Sequence, residues 1–208
     1  MIAYDRADVE SAVKTFAGNI DHYVLCSKGA VYRDYTDSRQ YHPFTEEDAD
    51  LGYKDDFAYS EGKRAAEMVL WSTSGTKIPF PFTIIRPAVV EGPEDPTGRT
   101  WFWVQRVSDG HEVLVPRTTP STIFRHVHVD DVADVLVRTL CNPSAFNQAY
   151  NVAGGEVLSL EDYVHMRAGV MDQDVKMVIT SLEKFDGNPD YPTLTTPSWV
   201  NASSWTYV

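Results

Sequence analysis

The sequence predicts an α/β fold built on a largely parallel sheet. Short apolar runs alternate along the chain with segments whose apolar residues recur at helical spacing, a pattern typical of successive βα units. The chain has 208 residues, of which 43% are apolar and 23% charged. That length and composition are enough to bury a core of ordinary size, and they are unlike those of disordered or fibrous proteins.

The first half of the chain predicts two helices and two strands. Apolar residues at helical spacing begin near Asp8 and end at Gly18, and a second helix is expected from about 57 to 74. The predicted strands are Tyr23–Cys26 and Phe82–Ile85. A long polar stretch, residues 29–56, separates the first strand from the second helix, and loops of that length are usually functional or mobile.

The second half continues the alternation. Helices are expected around Trp101–Val104, Val132–Leu140 and Ser159–Gly169, and strands at Val113–Pro116, Ile123–Val129, Ala149–Val152 and Val175–Ile179. Asp130 is placed to cap the second of these helices and Ser159 to cap the third. The tail after Phe185 is rich in Pro, Thr and Trp, and no element is assigned to it.

Composition excludes several classes of function. The chain carries 18 basic and 30 acidic residues, a formal charge of −12, without the basic cluster that nucleic acid requires. No apolar run approaches the roughly 18–20 residues that span a bilayer, and the first residues are not those of a signal peptide. Cys26 and Cys141 are too few for a disulfide framework or a zinc site. We therefore expect a cytoplasmic protein with a small-molecule substrate and no nucleic-acid or membrane partner.

Tyr59 and Lys63 are the strongest candidates for chemistry. Residues four apart lie on one face of a helix, so the phenol and the ammonium can act together. A nearby cation favours phenolate and lowers the pKa of a phenol, which suits proton transfer to or from a substrate hydroxyl or carbonyl. Taken alone, the same spacing is also found on ordinary solvated helix faces.

Five segments taken in order make the pattern specific. They are Tyr23–Tyr32, Tyr59–Lys63, Ile84–Pro93, His126–Ala133 and Tyr150–Gly155. This series resembles the extended short-chain dehydrogenase/reductase family, the NAD-dependent epimerase/dehydratase group that acts largely on nucleotide sugars. The resemblance covers nearly the whole chain to about Val170. It implies a truncated Rossmann-like, doubly wound parallel sheet with a small α/β C-terminal substrate lobe.

The resemblance also implies a domain organisation and roles for particular residues. Residues 1–208 would form one truncated domain, with a core at about 1–95 and 121–153 and the substrate lobe at about 96–120 and 154–208. Tyr59 matches the acid/base tyrosine, and Lys63 the lysine that holds the nicotinamide ribose. Pro87 and Val89 would line the nicotinamide end if a dinucleotide binds. The expected substrate-binding residues are Ser27, Tyr32, Arg99 and His126.

Two departures from the family pattern affect the expected chemistry. The family's glycine-rich turn, which binds the cofactor pyrophosphate at a helix N-terminus, has no counterpart in this sequence. We therefore expect no cofactor on this chain alone, and NAD(P) if the missing N-terminal half is supplied. The family's catalytic Ser or Thr is replaced by Lys28, which becomes a candidate second acid or oxyanion partner.

Three functional interpretations remain open at this point. The first is a family relative repurposed for non-redox isomerase- or lyase-type chemistry, and the second is an orthodox NAD(P)-dependent epimerase, dehydratase or reductase represented by a fragment. The third is a non-catalytic relative that binds a ligand or partner. His126 and His128 share a strand face, but ordinary packing is favoured over a metal site. Without the strands of the missing N-terminal half, one edge of the sheet would be exposed. This predicts a homodimer or a partner chain that covers the edge.

Overall fold

The structure is a computed structural model that describes residues 3–32, 44–54, 57–117 and 123–181. Five α-helices and nine β-strands lie within these ranges. In chain order they are α1 (Arg6–Phe16), β1 (Tyr23–Cys26), α2 (Ala58–Thr73), β2 (Phe82–Pro87), β3 (Val89–Glu91), α3 (Arg99–Ser108), β4 (Val113–Arg117), β5 (Ile123–Phe124), β6 (His126–His128), α4 (Val129–Thr139), β7 (Gln148–Val152), β8 (Leu158–Ser159), α5 (Leu160–Val170) and β9 (Met177–Ser181). The predicted α/β class is confirmed.

The described chain divides into two compact units. The first comprises the chain up to Val90 together with Val127–Gly154, and the second comprises Glu91–His126 together with the chain from Gly155 onward. The sequence places the corresponding boundaries near residues 95, 121 and 153.

The first unit is organised around a three-stranded parallel sheet in the order β1-β2-β7. Leu25 pairs with Ile84, and Ile85 pairs with Tyr150. Every residue of the central strand β2 is buried, as expected for a parallel strand covered on both faces. The carboxyl ends of β1 and β2 therefore lie side by side, which is where open α/β sheets bind their ligands.

Helices α1 and α2 pack together and cover the core of this sheet. Helix α1 begins at Asp5, whose carboxylate accepts a hydrogen bond from the N–H of Asp8. It ends just before Gly18, where a φ of +76° is easiest for glycine. The fully buried members of the core include Ala3, Val9, Leu25, Ala66, Leu70, Phe82 and Ile84.

The second unit has two small sheets and two helices. Strands β4 and β9 pair in parallel, and β5 and β8 pair antiparallel. Helix α5 begins with a capping box in which Ser159 and Asp162 exchange hydrogen bonds, which confirms the cap predicted at Ser159. The packed interior of this unit includes the side chains of Trp103, Phe124 and Tyr163.

Some local predictions differ from the structure. The cap of α4 is not Asp130: the ring nitrogen Nδ1 of His128 accepts the N–H of Asp130, which itself lies in the first turn. The final strand is shifted from the predicted 175–179 to Met177–Ser181, where it pairs with β4. The tail after Phe185 lies outside the described residues. No helix in the described ranges is long and apolar enough to cross a membrane.

Candidate active site

Tyr59 and Lys63 lie one turn apart near the start of α2, as the sequence predicts. The Nζ of Lys63 is 5.6 Å from the centre of the Tyr59 ring and 5.2 Å from that of Tyr4. Tyr59 is 38% exposed, whereas Lys63 is only 3% exposed. The pair thus combines an accessible phenol with a buried cation close to its ring, the arrangement that favours phenolate.

Two backbone carbonyls hold the Lys63 ammonium in place. Its Nζ donates to the oxygen of Ala3 at 2.7 Å and to that of Cys26 at 3.3 Å. Cys26 is the last residue of β1, so Lys63 reaches the carboxyl end of that strand. Burial lowers the pKa of Lys63, against the opposing effects of Cys26, Glu67 and Asp8. An ammonium has three N–H groups, and two of those of Lys63 donate to these carbonyls. Among the described residues, no acceptor is seen for the third.

Gly62 permits this close approach of α2 to the N-terminal segment. A Cβ at position 62 would lie 2.7 Å from the carbonyl oxygen of Tyr4, closer than side-chain carbons come to backbone oxygens. A larger residue would therefore push α2 away from Tyr4 and move Lys63 from the carbonyl of Ala3. Glycine at this position is thus part of how the site is built.

Lys28 and Ser27 follow β1 and point in different directions. The hydroxyl of Ser27 is buried and donates to Glu67 Oε1 at 2.5 Å, so its donor is engaged within the core. The Nζ of Lys28 donates to the carbonyl oxygen of Ala88 at 2.5 Å, just beyond the end of β2. The structure therefore brings Lys28 to the carboxyl ends of β1 and β2, while the hydroxyl of Ser27 binds a buried carboxylate.

Pro87 and Val89 flank this same strand end. Pro87 is the last residue of β2 and Val89 the first of β3, and both are buried. Between them, the N–H of Ala88 donates to the carbonyl oxygen of Val152 at 2.9 Å, which joins this turn to β7. This hydrogen bond holds the turn against the sheet.

Helix α2, which carries Tyr59 and Lys63, also contributes Glu67 to a buried ionic network. The guanidinium of Arg86 contacts the carboxylate of Glu67 at 2.7 Å, and the two side chains are 2% and 0% exposed. Arg86 also donates to the hydroxyl of Tyr32 at 3.0 Å, and that hydroxyl donates to Asn151 Oδ1 at 2.5 Å. The network links α2, β2 and β7, so it stabilises the sheet that carries the site.

These contacts change the protonation preferences of the network. Burial alone would lower the pKa of Arg86, but the hydrogen bonds and charge of Glu67 outweigh burial and raise it. Burial raises the pKa of Tyr32, although Arg86 and Asn151 oppose the shift. Both groups therefore remain protonated at neutral pH. Tyr32, predicted to bind substrate, is 2% exposed and stacks on Phe44 with ring centres 4.9 Å apart.

The second unit holds the other two predicted substrate-binding residues. Arg99 is the first residue of α3, and its Nε donates to Thr97 Oγ1 at 2.9 Å. The Nδ1 of His126 is buried and has no hydrogen-bond partner among the described residues, and neither has Trp103 Nε1 or Arg125 Nε.

A second buried polar cluster occurs in this unit. The hydroxyl of Tyr163 donates to Glu91 Oε1 at 2.7 Å, and Arg167 contacts both Glu91 and Tyr163. Burial, together with the charge of Glu91, raises the pKa of Tyr163 to about 12. Tyr163 is therefore protonated at neutral pH and donates its hydrogen bond to Glu91.

One cavity of the first unit lies away from Tyr59 and Lys63. A cavity of about 620 Å³ opens beside Arg86 and Glu46, with Trp71 and Tyr150 on its wall, and neither Tyr59 nor Lys63 lines it. Within the described ranges, no group of three or more His, Cys, Asp or Glu side chains could hold a metal ion.

Sequence reasoning missed the partners that support the site. Glu67 lies one turn beyond Lys63, and Arg86 interrupts an otherwise apolar strand. A charged residue inside a buried strand signals a buried partner of opposite charge, so Arg86 could have been identified as paired. Its partner could not, because nothing in the local pattern links residues 67 and 86.

Comparison of the sequence with models of known protein families identifies its family. The model of the NAD dependent epimerase/dehydratase family matches residues 8–153, more than half of the chain. The chain belongs to this family. A search of the curated proteins gave no match.

Solved structures with the same fold include three nucleotide-sugar enzymes. UDP-glucose 4-epimerase of Thermotoga maritima, solved with UDP-glucose, has a TM-score of 0.65 and 19% identity, covering 83% of this chain and 53% of its own. UDP-glucuronic acid 4-epimerase of Bacillus cereus, with NAD, has a TM-score of 0.65 and 17% identity, covering 85% and 54%. dTDP-glucose 4,6-dehydratase of Bacillus anthracis, with NAD, has a TM-score of 0.62 and 17% identity, covering 85% and 54%. This epimerase/dehydratase chain thus spans about half the length of these structures.

Proposed function

We propose that this epimerase/dehydratase-family chain transfers a proton between the phenol of Tyr59 and a hydroxyl or carbonyl oxygen of a polar small molecule. The observation that supports this most directly is the buried ammonium of Lys63, 5.6 Å from the centre of the Tyr59 ring and held by backbone carbonyls. A carbonyl oxygen carries no net charge, so it does not neutralise the ammonium of Lys63. The charge of this ammonium therefore continues to favour the phenolate form of Tyr59. The 38% exposure of Tyr59 leaves the phenol accessible to a substrate.

The residues present fit the nicotinamide end of the cofactor that the family name implies. Within the described part of the chain, two of the three N–H groups of Lys63 donate to backbone carbonyls, so the third can donate to an acceptor such as a ribose hydroxyl, and Pro87 and Val89 form the adjoining turn. Bound there, a nicotinamide group supplies acceptance and return of hydride. Tyr59 and Lys63 have the same roles with or without a nicotinamide group. Tyr59 takes or gives the oxygen-bound proton, and Lys63 stabilises the negative phenolate.

The substrates named for the similar structures provide a panel of probes. The chain is incubated in deuterated buffer with UDP-glucose, UDP-glucuronic acid or dTDP-glucose, with and without NAD, and proton NMR follows new sugar signals and deuterium uptake. We expect conversion or carbon–deuterium exchange of at least one probe. Turnover that needs no NAD supports isomerase- or lyase-type chemistry, and turnover that requires NAD supports an epimerase or dehydratase. If no probe changes under either condition, the chain is a non-catalytic relative for this substrate class.

A further inference from the structure

Ser27 directly follows strand β1 and contacts helix α2. Its N–H donates to the carbonyl oxygen of Ile85 at 2.8 Å, so its backbone continues the pairing of β1 with β2. Its hydroxyl donates in another direction, to Oε1 of Glu67 on α2 at 2.5 Å. Ser27 is 4% exposed, so this hydrogen bond lies within the core. The side chain of Ser27 thus joins the end of β1 to the helix that carries Lys63.

A second hydrogen bond joins the same two elements one turn earlier on the helix. Lys63 and Glu67 are four positions apart and therefore lie on one face of α2. The Nζ of Lys63 donates to the carbonyl oxygen of Cys26, the residue directly before Ser27, at 3.3 Å. That distance is near the long end for an N–H···O hydrogen bond, so a small displacement of the strand end would break it. The position of the end of β1 along α2 therefore decides whether Lys63 keeps this acceptor.

Glu67 gives the hydroxyl of Ser27 a fixed acceptor. The side chain of Glu67 is 0% exposed, and both of its carboxylate oxygens accept hydrogen bonds from Arg86. Because Arg86 belongs to β2, Glu67 is tied to the central strand as well as to its own helix. Replacing Ser27 by alanine would remove the link between β1 and α2, but it would remove no charge and would leave Glu67 paired with Arg86.

We propose that Ser27 is a positioning residue for Lys63. Its hydrogen bond to Glu67 keeps the end of β1, and with it the carbonyl oxygen of Cys26, within reach of the Lys63 ammonium. That ammonium then stays close to the ring of Tyr59. This role differs from the substrate contact that the sequence predicts for Ser27. The inference rests on the proposed function, because it concerns the cation that supports proton transfer by Tyr59.

The ionisation of the Tyr59 phenol reports how close the Lys63 ammonium lies. Ultraviolet titration is run on the full chain as wild type and as Ser27→Ala, and the difference from the same chain carrying Tyr59→Phe isolates the Tyr59 transition. Thr83→Val is the matched control, because it removes another buried hydroxyl of the same sheet, one that donates to the carbonyl oxygen of Ala145 at 2.5 Å. Far-UV circular dichroism and thermal melting verify that each variant is folded.

We expect the midpoint of the Tyr59 transition to lie at least about 0.3 pH unit higher in Ser27→Ala than in the wild type. A cation that moves roughly 3 Å farther from the ring loses about a third of its Coulomb energy, and the phenolate is then less favoured. Thr83→Val should leave the midpoint unchanged even though it lowers the melting temperature. A midpoint that Lys63→Met raises but folded Ser27→Ala does not, or an equal rise in Thr83→Val, would overturn the proposal. If Ser27→Ala does not fold, Ser27→Cys, whose thiol is a weaker donor, is titrated in its place and is judged by the same outcomes.

Chemical labelling of the Lys63 amine separates this inference from the proposed function. An amine-reactive succinimidyl ester, with mass spectrometry as the readout, should label Lys63 slowly in the wild type, because this residue is 3% exposed, and the exposed Lys14 serves as the internal reference. Ser27→Ala should raise the rate at Lys63 several-fold relative to Lys14, whereas Thr83→Val should not. If Lys63→Met leaves the Tyr59 midpoint unchanged, the proposed function is wrong and labelling alone decides the role of Ser27. Faster labelling of Lys63 in Ser27→Ala then supports that role, and an unchanged rate overturns it.

Discussion

Replacing Arg86 by methionine is expected to lower the free energy of unfolding by about 3–5 kcal/mol. The substitution keeps most of the volume but removes the cation that faces Glu67, whose side chain is 0% exposed. Among the described residues, Glu67 would then retain only the hydroxyl of Ser27 as a hydrogen-bond donor. A buried carboxylate without a cation is costly, and the hydroxyl of Tyr32 also loses its contact with the guanidinium.

Urea denaturation of three variants measures this effect. Arg138→Met is the matched control, because Arg138 pairs with Asp134 on the exposed surface of α4, and it should lower the free energy of unfolding far less than Arg86→Met does. The double variant Glu67→Met/Arg86→Met removes both charges and should recover much of the stability lost in Arg86→Met. A cost for Arg86→Met no larger than that of Arg138→Met would show that the buried pair does not stabilise the sheet.

Replacing Tyr59 by phenylalanine is expected to reduce turnover of any responsive probe at least about 100-fold. The ring and its contact with Lys63 are kept, but the hydroxyl that carries the proton is removed. The loss should therefore appear in kcat, with little change in probe binding or in thermal stability.

Tyr150→Phe is the control for loss of a tyrosine hydroxyl in the same unit. The hydroxyl of Tyr150 is 3.4 Å from the carbonyl oxygen of Ser144, a weak contact away from the pair. Its removal should leave turnover within about twofold of the wild type, since this hydroxyl contacts Ser144 and not Tyr59 or Lys63. Equal activity of Tyr59→Phe and Tyr150→Phe would exclude Tyr59 as the acid/base.

Most elements of the fold could be predicted because their signals are local. The helical spacing that begins near Asp8 and the stop at Gly18 give α1, and Ser159 marks the start of α5. The apolar run Phe82–Ile85 gives β2, although the observed strand also includes Arg86 and Pro87. The two- and three-residue strands β3, β5, β6 and β8 form only through pairing with distant residues, so local patterns define them poorly.

The site was predictable to the extent that its residues share one helix or one strand end. Tyr59 and Lys63 are four apart on α2, and the structure places them together. The direction of Ser27 depends on its hydrogen bond to Glu67, forty positions away, and the hydroxyl of Tyr32 binds Asn151, which is still further along the chain. Such contacts are decided by tertiary packing rather than by spacing. The expected homodimer or partner chain, and the binding of a dinucleotide, stay predictions.

The central claim is that the ammonium of Lys63 stabilises the phenolate of Tyr59. Ultraviolet titration of tyrosinate tests it directly: the difference between wild type and Tyr59→Phe isolates the Tyr59 transition, and the same difference in a Lys63→Met background isolates it without the cation. We predict that the midpoint lies about one pH unit or more lower when Lys63 is present, since opposite charges at this range shift titrations by that order. Identical midpoints in the two backgrounds would contradict the account.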